Sequence, residues 1–309
     1  MSIQPFHDGE IAVQERTGER DIARRHGAII GSRIVPGALP FLAQQRLIAV
    51  SIAGDDGQLW TSVWGGAPGF VQSADGQRVQ ITASMMAPSP GDPVRPRAGA
   101  GRDIGMLAIE FASRRRLRIN GTIEAGSNAL VVLVRESVPN CPKYIQRRQP
   151  HDVATPASFP AHARRGHVLD DDARELVGRA DTAFVGSLHP ARGVDTSHRG
   201  GSPGFIEIVD PANLRMPDYR GNSLFMTLGN FAIDSRASLA VIDFERGRLL
   251  SLSGSAHVDF DADDPRQLTG GTRRFWNFTI REWALFELPR GVRWELLDAS
   301  PFNPPQPPK

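Results

Sequence analysis

A stretch of this 309-residue chain recurs within it at a fixed distance. The run Ser62-Val63-Trp64-Gly65-Gly66-Ala67-Pro68-Gly69-Phe70-Val71 lies over Ser197-His198-Arg199-Gly200-Gly201-Ser202-Pro203-Gly204-Phe205-Ile206, 135 positions later, with six of ten residues identical. The same offset sets Val50 on Val185 and Leu42 on Val177, and an offset of 133 sets Phe111 on Phe244, Leu117 on Leu250 and Gly121 on Gly254. A shared Gly-Gly and Pro-Gly alone would be common turn chemistry. Collinear matches across a whole domain's worth of chain point to duplication. The length suits two domains of ordinary size. With 31 Gly and 24 Pro, many turns and short strands are expected rather than a helical bundle. The expected fold class is therefore mainly β with short helices, in two tandem barrel-like units.

The sequence divides accordingly. Residues 1–40 form a leading segment, 41–148 a first barrel, 149–168 a linker, 169–300 a second barrel and 301–309 a Pro-rich tail. Pro40 opens a short helix, and the apolar run Leu47-Ile48-Ala49-Val50-Ser51-Ile52 leads into the hairpin turn Asp55-Asp56-Gly57. Asp170-Asp171-Asp172 ahead of Ala173-Arg174-Glu175-Leu176-Val177 reads as acids at a helix N-terminus, where the dipole favours them.

The halves differ in their polar residues. Where the second has His198-Arg199, the first has Val63-Trp64. The second continues through Tyr219-Arg220-Gly221-Asn222-Ser223 into Leu224, Leu228 and Phe231 at helical spacing, with Asn222 or Ser223 as N-cap. The first has four prolines between Ala87 and Pro96 instead, which excludes a helix. Arg199, Arg220 and the N–H groups opening that helix would suit an anion, with hydroxyls from Thr196 and Ser197. Two surface arginines and a capped helix are ordinary by themselves. The first copy, which lacks them, indicates that the fold does not demand them.

Other chemistries find little support. A net charge of +2 gives no field for gathering nucleic acid. No apolar run is long enough to span a membrane, and Met1 is followed by polar residues rather than a leader's apolar stretch. The lone Cys141 allows no internal disulfide and suits a reducing cytoplasm. Dinucleotide and P-loop glycine motifs are absent, and Cys141 has no second Cys for a metal site. His162 and His167 read as solvated linker residues, and Arg114-Arg115-Arg116 as a solvated hairpin tip.

The run from Val194 through Phe205, the following Pro217-Asp218-Tyr219-Arg220-Gly221-Asn222 and the strand Leu249-Leu250-Ser251-Leu252-Ser253-Gly254-Ser255-Ala256 resemble the pyridoxamine 5'-phosphate oxidase-like, FMN-binding split-barrel proteins. Phe6-His7-Asp8-Gly9-Glu10 and Asn140-Cys141-Pro142-Lys143-Tyr144-Ile145-Gln146 are similar to tandem members of that group. The resemblance implies two tandem split β-barrels and an FMN-dependent oxidoreductase. Asp195, Thr196, Ser197, His198 and Arg199, with Phe205, would line the flavin and its phosphate. Arg220, Gly221, Asn222 and Ser223 would cradle phosphate and ribityl chain, and Asn230 would reach the ribityl chain or ring. Lys143 and Gln146 would complete the pocket from the other barrel. The vitamin-forming oxidase's C-terminal Arg–His pattern is missing, since Arg281-Glu282-Trp283 and Arg290 do not reproduce it, which argues against pyridoxamine phosphate as substrate. A small-molecule redox substrate, NAD(P)H among the options, is expected. Three alternatives remain open: a flavin-storing or redox-sensing module without turnover, a deazaflavin cofactor, and a haem-handling barrel with His198 as first ligand. The barrels would pair within one chain as a pseudo-dimer, or across two chains as a homodimer.

Overall fold

Helices α1 (Asp8–Arg16), α2 (Arg20–His26) and α3 (Leu39–Ala43) lead into strands β1 (Leu47–Ala53), β2 (Leu59–Gly65), β3 (Val71–Gln72), β4 (Arg78–Ile81), β5 (Asp103–Glu110), β6 (Arg115–Glu124) and β7 (Leu130–Asn140). After β8 (Arg147–Asp152) and β9 (Arg164–Gly166) come α4 (Asp171–Arg179), β10 (Thr182–His189), β11 (Gly193–Gly200), β12 (Glu207–Asp210), β13 (Asn213–Pro217), α5 (Met226–Ile233), β14 (Arg236–Asp243), β15 (Arg248–Asp259), β16 (Phe275–Glu287) and β17 (Val292–Asp298). This computed structural model describes residues 5–87, 89–125, 129–152, 163–288 and 292–304.

The duplication is visible in the topology. One sheet runs β2-β1-β5-β6-β7-β4-β3 and the other β11-β10-β14-β15-β16-β13-β12, the same order with each strand replaced by its counterpart. The fold is mainly β with short helices, in two tandem units of the same strand order. The repeated glycines have physical reasons. Gly121 and Gly254 sit at the same register shift in β6 and β15, and a Cβ there would stand 2.2 Å from Leu133 O and 2.0 Å from Thr279 O. Gly66 and Gly201 lie beneath Phe70 and Phe205, with 2.6 Å left for a Cβ in each case. Gly69 and Gly204 take φ of +92° and +90°, which L side chains avoid.

The units face each other reciprocally: β2 packs on β14 and β15, and β11 packs on β5 and β6. That is the pattern of an isologous contact, in which one patch meets its own copy. Phe111 and Phe244, matched by the repeat, meet edge to face at 5.4 Å. Small hydroxyls fill the middle of the seam. Thr61 bonds Ser51 at 2.7 Å and Ser238 at 2.6 Å, and Thr196 donates its one hydroxyl proton to Gly105 O at 2.8 Å and accepts from Ser51 at 2.7 Å. Buried on one face by its own core and on the other by the seam, β2 exposes no residue. Its only polar side chains are the small hydroxyls of Thr61 and Ser62, and one apolar cluster runs from Trp60 and Ile104 across to Phe184, Ile242 and Phe286.

The termini are more structured than their composition implies. The leading segment's Phe6-His7-Asp8-Gly9-Glu10 is a capping box: His7 accepts from Gly9 N–H, and Glu10 reaches back to His7 N–H at 2.9 Å. Helix α1 lies on α5 where Gly9 and Gly229 cross, too close for either to carry a Cβ. The expected linker contains β8, paired with β17, and β9, paired with β16; residues 153–162, His162 included, lie outside the described residues. Asp170 caps α4, accepting from Ala173 N–H at 2.9 Å.

Candidate functional site

A cleft of about 880 Å³, counting space open to solvent, lies on the seam. The first unit supplies Arg116 and Arg118 of β6 and residues 140–144 after β7; the second supplies the end of β11, the loop from Pro217 to Phe225 and the first turn of α5. Its described lining carries the cations Arg116, Arg118, Lys143 and Arg199 against one carboxylate, Asp218.

Each cation is placed by a specific contact. Arg116 donates from Nε to Cys141 O at 2.8 Å and from its guanidinium tip to His198 Nδ1 at 3.2 Å and His198 O at 3.3 Å. Because arginine only donates, His198 accepts at Nδ1 and its proton sits on Nε2. Arg118 pairs with Asp195 at 3.3 Å. Arg199 bonds Asp218 at 3.2 Å, and Asp218 is shared with Arg274 at 3.0 Å. Arg199 Nε, Arg118 Nε and His198 Nε2 are enclosed without a hydrogen-bond partner. For Arg118 the ion pair is the better description, since Asp195 is near but poorly aligned.

Burial and neighbouring cations tune these groups. Burial first, then Arg116 and Arg199, drive the His198 imidazole well below its ordinary pKa, so it is neutral at pH 7. Burial and Arg118 push Arg116 down to about 9, which leaves it charged at pH 7. Burial lowers Arg199, opposed by Asp218.

The wall from 222 to 225 is strained. Ser223 and Phe225 have φ of 64° and 59°, and Tyr144 across the cleft has 66°. Left-handed backbone at non-glycine residues costs on the order of 1–3 kcal/mol each and persists only where the surroundings enforce it. Here the leading segment enforces it. Gln14 donates to Leu224 O at 3.0 Å, His26 bonds Asn222 O at 2.8 Å, and Glu19 holds Ser223 and Arg274. Tyr144 donates to Arg220 O at 2.9 Å, and its ring lies 4.8 Å from that of Tyr219 on the rim.

The expected site residues divide in two. Ser197, His198, Arg199, Phe205, Gly221, Asn222, Ser223 and Lys143 line the cleft. Five do not. Thr196 points into the seam, bonded to Ser51 and Gly105 O. Asp195 faces β6, taking Asn120 Nδ2 at 3.0 Å. Asn230 faces α1 and β10 through His7 and Ser187. Gln146 is a buried brace that donates to Gly201 O at 3.1 Å and accepts from Ser300 N–H at 2.7 Å. The side chain of Arg220 is exposed and only its carbonyl is engaged. The helix also starts later than expected: α5 begins at Met226, and neither Asn222 nor Ser223 caps it. Phe225 holds the cap position without a side-chain acceptor, so the first turn enters the cleft uncapped.

Arg116 was expected in a solvated turn; it is instead central to the site, because β6 begins at Arg115 and carries it inward. Arg114, the actual turn residue, pairs with Asp298. Sequence spacing gave no sign of Arg118 in the site. Trp64, which the repeat matches to Arg199, is fully buried in the first unit and donates its indole N–H to Asp92 at 2.9 Å.

Comparisons with known proteins give likenesses of structure only. No protein-family model matches the sequence, and no curated protein does. Among solved structures, a protein described as a putative pyridoxamine 5'-phosphate oxidase from Lactobacillus delbrueckii is similar at 14% identity, covering 38% of this chain and 94% of its own, with a TM-score of 0.31. An F420 reductase is similar at 13% identity, covering 38% and 98%, with a TM-score of 0.27. HutZ of Vibrio cholerae, described as a haem storage protein, is similar at 10% identity, covering 40% and 97%, with a TM-score of 0.26. No helix among the described residues is long and apolar enough to cross a membrane.

Proposed function

We propose that the cleft binds FMN and that the protein is a flavin-dependent oxidoreductase acting on a small-molecule substrate. The observation that carries this reading is the charge of the lining: four cations drawn from both units against one carboxylate. The donors fit a phosphate monoester. Arg199 has an enclosed Nε in want of an acceptor, and the uncapped turn of α5 offers N–H groups and the positive end of a helix dipole. Phe205, Tyr144, Tyr219 and Phe225 line the cleft and offer flat apolar surface to a ring.

FMN, when bound, would supply the electron-transfer chemistry, with an NAD(P)H-type donor coming from solution. The chain's own residues bind and bias. Arg116 and Arg199 favour negative charge in the cleft, His198 stays neutral through burial and then through these cations, and the strained wall holds the α5 turn open. Residues 41–148 and 169–300 act together, as a pseudo-dimer sharing one site rather than one working unit and one idle one.

The haem reading is weaker on one specific point. Arg116 fixes the His198 proton on Nε2, and that atom is enclosed, so neither ring nitrogen offers a lone pair to iron. The test is a visible spectrum of the purified protein before and after FMN addition, followed by anaerobic mixing with NADH and NADPH. Bound flavin bleached by either donor supports the reading. A protein that takes up no FMN rejects it, and a Soret band would favour haem.

A further inference from the structure

A second, smaller cavity adjoins the cleft. The two share Met226, and the Arg118–Asp195 pair joins them, with Arg118 lining the cleft and Asp195 the inner cavity. Three carboxylates meet there: Glu10 from α1, Glu136 from β7 and Asp195 from β11. The Gly9–Gly229 crossing presses α1 close enough to seat Glu10. The geometry is that of carboxylates sharing too few donors. Asn120 Nδ2 is divided between Glu136 at 3.2 Å and Asp195 at 3.0 Å. Glu10 receives the His7 backbone N–H at 2.9 Å. The His7 ring bonds Asn230 at 3.0 Å, with Glu10 farther away at 3.6 Å. Asp195 Oδ2 and Asn120 Oδ1 are enclosed acceptors with nothing donating to them, on residues only 3% exposed.

Enclosed acceptors are costly unless a donor reaches them. Among the described residues no cluster of His, Cys, Asp or Glu has the arrangement of a metal site. The smallest donor that relieves the cage is a proton carried on a carboxyl. We propose that the Glu10–Glu136–Asp195 cage binds one proton at neutral pH, and that its occupancy controls how strongly the adjoining cleft holds a phosphate monoester.

The coupling runs through Arg118. With the cage protonated, Asp195 is the principal charge answering Arg118, and the cleft keeps its positive field. When the proton leaves to solvent, a further negative charge appears beside Asp195 and offsets the arginines. By reciprocity, an anion entering the cleft draws a proton into the cage. The charged and titratable groups around the cage are His7, Asp8 and Glu10 on α1, Arg118 on β6, Glu136 on β7, His189 at the end of β10, Arg192 in the turn after it, and Asp195. Of these, burial raises Glu10 to about 8 and raises Glu136, each further raised by neighbouring carboxylates. Burial and His189 lower His7 to about 4, so it brings no positive charge at pH 7.

The inference rests on the cleft being a phosphate-ester site, and the test separates the two. FMN affinity is measured from pH 6.5 to 9 for the wild type, Glu10→Gln and Glu136→Gln. Glutamine keeps the helix-capping contact of Glu10 while removing its titration. The wild type should bind more weakly as pH rises, by at most about tenfold per pH unit for one coupled proton, and at least one glutamine variant should show a flat profile up to about pH 8, above which the lowered Arg116 loses charge in every variant. A flat wild-type profile overturns the proposal. If no FMN binds at any pH, the cleft reading fails. The cage is then judged from the protonated-carboxyl infrared band of the protein alone at pH 7. Loss of part of that band in Glu10→Gln or Glu136→Gln upholds the proton site without its coupling, and a band unchanged in both rejects it.

Discussion

Arg116 of the first unit donates to the Nδ1 of His198 of the second, 3.2 Å away across the seam. One side chain thereby sets the tautomer of the imidazole, adds to the burial that keeps it neutral and places a cation in the cleft. Neither unit contains this arrangement by itself. Arg116→Ala should weaken FMN binding about 10- to 100-fold, the worth of one hydrogen bond to a charged group. Arg116→Lys should recover only part of that, because lysine cannot make the forked contact to Cys141 O and His198 together. Flavin fluorescence titration measures both.

His198 also predicts an acid sensitivity. Its folded pKa lies below the ordinary value of 6.5, so the unfolded chain binds the proton more readily than the folded one. The stability this group contributes is present above pH 6.5 and declines as pH falls from there toward the folded pKa, by up to about 1.4 kcal/mol per pH unit. His7, lowered to about 4, adds a slope of the same sign between 6.5 and 4. Thermal melts from pH 7 to pH 5 should show a shallower decline in His198→Asn than in the wild type.

Gly9 is the contact on which the leading segment depends. A Cβ there would stand 2.2 Å from Gly229 O, and backbone cannot give way as a side-chain tip can. Gly9→Ala should destabilise the protein by about 1–3 kcal/mol, the usual cost of overpacking. It should also weaken FMN binding, because Gln14, Glu19 and His26 brace the 222–225 wall. Gly37→Ala, where a Cβ meets nothing within 4 Å, should do neither. Chemical denaturation and flavin titration of the two variants provide the comparison.

The hydroxyls in the seam make a third kind of prediction. Thr196→Val removes the donor to Gly105 O and the acceptor of the Ser51 hydroxyl in a fully buried place. It should cost about 1–3 kcal/mol through the acceptors it strands, while leaving FMN affinity nearly unchanged, since Thr196 does not line the cleft. A variant with normal stability and lost flavin binding would place Thr196 in the site instead.

The duplicated architecture was legible because its constraints are local. Gly66, Gly69, Gly121 and their counterparts each answer a close approach or a left-handed turn, and such needs leave the same residue at the same place in both copies. The difference between Trp64 and Arg199 likewise pointed to the second copy as the polar one. The site itself was only half legible. Arg116 and Arg118 reach the cleft by the register of β6 and the packing of one unit on the other, and neither is encoded in spacing. Thr196, Asp195 and Gln146 lie next to cleft residues in sequence but on strand faces or braces that point elsewhere. In the leading segment Asp21 to Arg25 reads as a short helix and lies within α2, and His7 and Glu10, three apart, have the spacing of the capping box that opens α1.

The most direct measurement is equilibrium FMN binding to the wild type beside the double variant Arg116→Ala plus Arg199→Ala, with folding checked by circular dichroism. A site shared by the two units predicts a yellow, stoichiometric complex for the wild type and little or no binding by the folded double variant. Equal binding by both, or none by either, would contradict it.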